Sequence, residues 1–142
     1  MRGRWVGPDR QRPLSDTGWR QAEGLVGLLG GFGIERILSS PYVRCVQTLE
    51  PLARARELSV EPRDELAEGA PIDAAAALAD GLLGTTAVLC SHGDILPPLL
   101  ERLAAAHGVA LPRDPPFEKG ATWVMEAVDR RLVSARYLPP PA

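Results

Sequence analysis

Two short stretches hold the residues best suited to chemistry. In the first, Leu38 to Thr48, the apolar pair Ile37-Leu38 reads as the end of a buried strand, which Ser39-Ser40-Pro41 then interrupts. A serine before a proline signals a helix start, because the hydroxyl caps free N–H groups and proline tolerates the first helical position. Arg44 is thereby predicted in the first turn of a helix that begins where a strand ends. Such a turn faces the crevice where open α/β sheets bind ligands. The helix N-terminus favours an anion, and a guanidinium fork matches two phosphate oxygens. In the second stretch, Thr86–Cys90 is continuous, apolar and partly β-branched, the pattern of a buried strand, and Ser91-His92-Gly93-Asp94 breaks it. His92 therefore holds the equivalent place after a second strand, and Gly93 permits close approach of a ligand to the backbone. Taken singly, a first-turn arginine is ordinary surface charge and a histidine after a strand is more often structural. Taken together, Arg44 and His92 suit a phosphate dianion. His107, late in a helix, is read as structural, favourable with the helix dipole.

The elements that must position these residues follow from periodicity. Residues 1–14 have no period, carry Arg2, Arg4, Arg10 and Arg12, and read as a loop that is either solvating or phosphate-facing. Ser15 caps a helix whose apolar face is Ala22, Leu25, Val26 and Leu29, ended by Gly30-Gly31. A short strand at Arg36–Leu38 leads to the Arg44 helix, which Pro51 should kink or end. Ser59–Pro62 reads as a brief edge strand, Asp64–Pro71 as a polar loop with Glu65 and Glu68, and Asp73–Leu83 as an alanine-rich helix. After the His92 turn, Ile95–Ala106 is amphipathic, with Pro97 and Pro98 fitting only in its first turn and Gly108 ending it. Leu111–Lys119 is a proline-rich loop. Thr122–Ala127 and Leu132–Tyr137 form two strands joined at Asp129-Arg130, and Pro139–Ala142 is a disordered or extended tail. This alternation predicts an α/β protein of three layers, a mostly parallel sheet flanked by helices. The loop at the chain's start resembles one that leaves a strand, yet no strand precedes it.

Bulk properties narrow the function. The 142 residues suit a single domain (1–142), and an apolar share of 45% suffices for a core. Lys119 is the lone lysine among 16 basic residues, the net charge is −2, and no basic stripe exists, which argues against nucleic acid as a partner. Cys45 and Cys90 form no Cys-x-x-Cys, so a disulfide framework or zinc site is not expected, and two small buried hydrophobes in a reducing compartment are. With no signal-like or membrane-length apolar run, a cytoplasmic protein with no membrane partner is expected.

The stretches SSPYVRCVQT and LCSHGD, in this order, resemble the histidine phosphatase superfamily of phosphoglycerate-mutase-like fold. Arg12-Pro13-Leu14-Ser15, Gly18 and Gln21-Ala22 resemble its small phosphohistidine-phosphatase branch. The resemblance implies a histidine that attacks phosphorus to give a phosphohistidine, later hydrolysed by water, without metal or cofactor. It assigns phosphate binding to Arg44 and His92, with His92 as the pocket's second histidine. Leu66-Ala67-Glu68 matches the family's Leu-x-Glu, which makes Glu68 the candidate general acid and Glu65 the fallback; burial beside phosphate would keep such a group protonated. The family's first strand, however, ends in Arg-His, and this sequence contains no Arg-His dipeptide; neither of its 2 histidines stands in that position. The nucleophile and a central strand beside the His92 strand are therefore expected to be missing. Two explanations follow: a phosphatase acting on a phosphomonoester or phosphohistidine and truncated before that motif, with Met1 at an internal start, or a catalytically incompetent module that binds phosphate or phosphoprotein. The Trp5-Val6-Gly7-Pro8-Asp9 loop also resembles the phosphatase half of Nudix-hydrolase fusions, which would favour nucleotide substrates. Mutase activity is disfavoured, because the long insertions of full-size mutases are absent.

Overall fold

The computed structural model describes residues 5–141; Arg2, Arg4 and the Met1 start lie outside them, as does Ala142. Among the described residues, nine regular elements follow in order: α1 (Asp16–Leu28), β1 (Arg36–Ser39), α2 (Val43–Arg56), β2 (Val60–Pro62), α3 (Ile72–Gly81), β3 (Ala87–Cys90), α4 (Leu96–His107), β4 (Thr122–Val128) and β5 (Arg131–Leu138). Short 3₁₀ turns occupy Asp9–Gln11 and Asp64–Leu66. The parallel sheet has the order β2-β1-β3, with Ile37 opposite both Val60 and Val88.

Side-chain alternation along these strands divides the core into two. Ile37, Val60, Val88 and Cys90 meet Leu25 of α1, Leu29 just after it, and Leu49, Leu52 and Ala53 of α2. Leu38, Ala87 and Leu89 meet Ala75 of α3 and Leu99 and Leu103 of α4. Helices therefore cover both faces of the parallel sheet, as the pattern of elements implies. Among the described residues, β4 and β5 pair only with each other, as an antiparallel hairpin whose tip residues Asp129 and Arg130 have φ of 51° and 64°. Leu132 of the hairpin enters the core on the α4 side, and the backbone N–H of Leu132 donates to His107 Nδ1 at 3.2 Å. His107 is thus a fastening between α4 and β5.

Several local expectations hold and several do not. Ser15 caps α1 by accepting the Gly18 N–H at 3.1 Å. Pro51 neither ends nor shortens α2, which continues to Arg56; Pro51 lies on the buried face with Leu49, Leu52 and Ala53, and packing there offsets the lost backbone bond. The segment read as a polar loop holds Leu66, which is wholly buried against Ala75 and Leu99. The tail does not hang free: Pro141 lies so close to Gly24 of α1 that a Cβ there would collide with it.

The strand expected to be buried, β3, is half-exposed at all four residues. Its side chains are covered on both faces, so the exposure comes from its edge: β1 pairs one side, and no strand among the described residues pairs the other.

Leu66 generates a direct test. Leu66→Ala should cost about 2–5 kcal/mol in urea unfolding, the range for a large-to-small change in a packed core. A loss within about 0.5 kcal/mol, the range of ordinary surface substitutions, would show that the 64–70 segment is not part of the core.

Candidate active site

The site grows from the ends of β1 and β3. Ser40, just past β1, continues the strand pairing by donating its N–H to the Cys90 carbonyl at 2.9 Å. The Ser40 hydroxyl does not cap a helix. It lies 2.7 Å from His92 Nε2 and accepts the Tyr42 N–H at 3.2 Å. Tyr42 is still extended, at φ −61° and ψ 134°, so α2 starts at Val43 and Arg44 sits in its first turn as predicted. The chain after β3 folds back on itself, with the N–H groups of Ile95 and Leu96 both donating to the His92 carbonyl at 3.0 Å. His92 is consequently buried, at 7% exposure, while Gly93 beside it is exposed and opens on empty space.

Tyr42 joins the two predicted residues. Its ring meets the His92 imidazole edge-on, with centroids 4.5 Å apart and planes at 68°. The Arg44 guanidinium carbon lies 5.0 Å from the same ring's centroid, and that of Arg10 lies 5.3 Å from it. Arg44 and His92 thus flank one aromatic ring without touching each other. Spacing did not single out Tyr42, and it gave Ser40 the role of a helix cap rather than a partner of His92. The arginines of residues 1–14 gave a usable signal, and among the described ones Arg10 reaches the ring.

Arg44 also has an acidic partner. Its Nη1 donates to the Asp9 carbonyl at 3.1 Å and lies 3.2 Å from Asp9 Oδ2. Arg12 Nε donates to Asp9 Oδ1 at 3.0 Å. Arg12, and after it Arg44, hold the Asp9 carboxyl below its ordinary value. The motif residues around them are structural. Gln47 accepts the Leu14 N–H at 2.8 Å, fixing the loop before α1, and the Thr48 hydroxyl donates to the Arg44 carbonyl at 2.7 Å.

The candidate acids stand apart from this ring. The Ser91 hydroxyl donates to the Leu66 carbonyl, and the Gly69 N–H donates to Asp94 Oδ2 at 2.8 Å. These two bonds bring the Glu68 backbone alongside the His92 turn. The Glu68 side chain is exposed and has no hydrogen bond or ion pair among the described residues, so the burial expected of a proton-holding acid is not found here. Glu65 lies 3.8 Å from Arg63 in an ion pair. A surface recess between α3 and α4, lined by Ile72, Pro98, Glu101 and Arg102, includes none of these residues. No group of three or more metal-ligating side chains occurs among the described residues, and no helix there is long and apolar enough to cross a membrane.

With this geometry, the comparisons with known proteins are specific. The sequence pattern of the histidine phosphatase superfamily, branch 1, matches residues 2–71. This chain belongs to the histidine phosphatase superfamily. Its fold is that of the small SixA-like members. The histidine phosphatase SixA, solved with tungstate, superposes with a TM-score of 0.67 at 23% identity, over 96% of this chain and 88% of that one. A protein named as a SixA phosphohistidine phosphatase from Nakamurella multipartitia gives 0.71 at 22% identity, over 97% and 90%. Another so named, from Agrobacterium tumefaciens, gives 0.69 at 26%, over 96% and 91%. A Mycolicibacterium smegmatis protein named 8-oxo-(d)GTP phosphatase is 37% identical over 145 residues, covering 99% of this chain and 45% of that relative. The histidine phosphatase chain described here therefore spans less than half the length of that relative.

Asp9 already holds one guanidinium nitrogen of Arg44, so an anion arriving at Arg44 would compete with it. The pair is intact at neutral pH and is lost only as pH falls through the lowered carboxyl value, since protonation removes the negative partner. Asp9→Asn should therefore tighten tungstate binding at pH 7, by up to about fivefold for release of an exposed ion pair. Titration calorimetry showing unchanged or weaker binding would mean that Asp9 does not compete for Arg44.

Proposed function

We propose that this chain forms the phosphate-binding part of a phosphatase working through a phosphohistidine, with the nucleophilic histidine carried on a further strand seated against the free edge of β3. The observation that carries the reading is the shared Tyr42 ring, 4.5 Å from His92 and 5.0 Å from Arg44, at the mouth of two neighbouring parallel strands. Crevices at strand C-terminal ends are where such sheets bind ligands, and a guanidinium beside an imidazole suits a phosphoryl group. Support for the added strand comes from β3, whose faces are covered while its edge is open.

In the reaction, an imidazole nitrogen of the added strand attacks phosphorus, and the bond from phosphorus to the leaving atom breaks, an oxygen in a phosphomonoester and an imidazole nitrogen in a phosphohistidine. Glu68 gives that atom its proton, and water then cleaves the phosphorus–nitrogen bond of the intermediate. Arg44 and His92 hold the phosphoryl oxygens throughout. Glu68 takes up this role by rotating its exposed side chain inward, and Arg44 by exchanging Asp9 for substrate. The substrate class is a phosphomonoester or a phosphohistidine on a protein. A nucleoside phosphate is the second reading, favoured by the relative named 8-oxo-(d)GTP phosphatase, which matches 99% of this chain.

The chain alone should bind tungstate without hydrolysing p-nitrophenyl phosphate. Arg44→Ala and His92→Ala should each weaken that binding about ten- to a hundredfold, the loss of a charge-assisted hydrogen bond. Equal binding by all three proteins would end the phosphate-site reading. Adding an apolar strand that ends in Arg-His ahead of residue 1 should give turnover and acid-labile phosphate on histidine. Turnover by the unextended chain would disprove the assignment of the nucleophile. Parallel assays with phosphohistidine protein and with a nucleoside triphosphate separate the two substrate readings.

A further inference from the structure

His92 has one ring nitrogen engaged and one open. Its Nε2 lies 2.7 Å from the Ser40 hydroxyl and 3.7 Å from the Cys45 sulfur. Its Nδ1 has no partner among the described residues, and no buried side-chain nitrogen or oxygen there is left unpartnered. Nδ1 therefore belongs to the 7% of His92 that meets solvent. A neutral imidazole carries its proton on one nitrogen, and the bond made by the other decides which.

Ser40 makes that decision. It is wholly buried, and its hydroxyl oxygen already accepts the Tyr42 N–H at 3.2 Å. Among the described residues, the hydroxyl proton has His92 Nε2 as its acceptor. A proton on Nε2 would point at the same oxygen, and the serine proton would then be buried with no acceptor, which carries a penalty. The Cys45 thiol is the rival donor to Nε2. It is the more distant of the two, and the Ser91 carbonyl at 3.8 Å gives it another acceptor.

We propose that Ser40 is a positioning residue that fixes the tautomer of His92, keeping Nε2 an acceptor so that Nδ1–H is the donor offered to a phosphoryl oxygen. The donors then run one way: Tyr42 N–H to Ser40 Oγ, Ser40 O–H to Nε2, and Nδ1–H to the anion. Tyr42 is the capping residue of α2, so the series starts at the positive end of a helix, and bonds aligned in this way polarise one another. The Ser40 N–H, bonded to the Cys90 carbonyl at 2.9 Å, holds the serine in place. Placement of the proton stands on Ser40 and His92 alone; its use toward phosphate rests on the phosphate-site reading.

His107 supplies an internal standard. Its Nδ1 accepts the Leu132 N–H at 3.2 Å and its Nε2 lies 3.9 Å from Asp80 Oδ1, so its proton sits on Nε2. The test is long-range proton–nitrogen correlation at pH 8 on the chain labelled with nitrogen-15 histidine, with His92→Ala assigning the signals. The two histidines should show opposite patterns, Nδ1–H for His92 and Nε2–H for His107. Ser40→Ala should move His92 toward Nε2–H and leave the His107 pattern intact. The same variant should weaken tungstate binding about three- to tenfold, the net worth of one hydrogen bond. Ser40→Thr, which keeps the hydroxyl, should restore both. Cys45→Ala should leave the His92 pattern unchanged; a switch there would give the role to the thiol and overturn the proposal. A wild-type His92 protonated at Nε2, or averaged between its nitrogens, would overturn it whatever the variants do. Failure of the wild-type chain to bind tungstate would instead end the phosphate-site reading, with the spectra still deciding on Ser40.

Discussion

The pairing of β1 with β3, carried one residue beyond the strands, is the constraint on which the site depends. Within the strands it is ordinary parallel hydrogen bonding, with Ser39 opposite Cys90. Beyond them, the Ser40 N–H reaches the Cys90 carbonyl and the Ser40 hydroxyl reaches His92. A fully buried serine cannot leave its hydroxyl unpartnered without a penalty, so the polar requirement of Ser40 and the orientation of His92 satisfy each other. A one-residue slip between β1 and β3 would turn Ile37 toward the α3–α4 side and Leu38 toward the α1–α2 side, undoing both cores at once. The two cores therefore fix the register, and the register fixes the site.

Much of this was legible in the sequence because it is local. Ser15 caps its helix, Gly108 ends another at φ 69°, and Asp129-Arg130 turns the hairpin, each through interactions within a few residues. The two strand-to-helix turns with Arg44 and His92 were readable for the same reason. What the sequence hid is long-range. Ser40 carries an N-cap signal, yet its partner is 52 residues away. Asp9 and Arg44 are 35 residues apart, and nothing in either neighbourhood announces the pair. Leu66 sits among charges and is buried all the same, because one leucine in a polar segment has no period to reveal it. Pro51 illustrates the converse: a strong local signal yields to burial on the inner face of α2.

The chain's cationic groups are also less free than their number implies. Arg36 grips Glu61 through two nitrogens, at 3.1 and 2.6 Å, across β1 and β2. Arg56 closes the end of α1 by donating to the Leu29 and Phe32 carbonyls. Arg10, lying over Tyr42, also comes within 3.8 Å of Asp64. Structural duties of this kind engage several arginines of a chain whose net charge is −2.

The two bonds on either side of Glu68 bear on how this residue can move. Leu66 is anchored in the core and bonded by Ser91, and Gly69 is bonded by Asp94, so only Ala67 and Glu68 lie between fixed points. So short a span has little room to swing as a flap. Movement of the carboxyl group reduces to rotamer hopping of an exposed side chain, a matter of picoseconds to nanoseconds, whereas hinged closures take microseconds or longer. Were Glu68 the proton donor of the proposed reaction, its side chain would come to the site without a hinged closure.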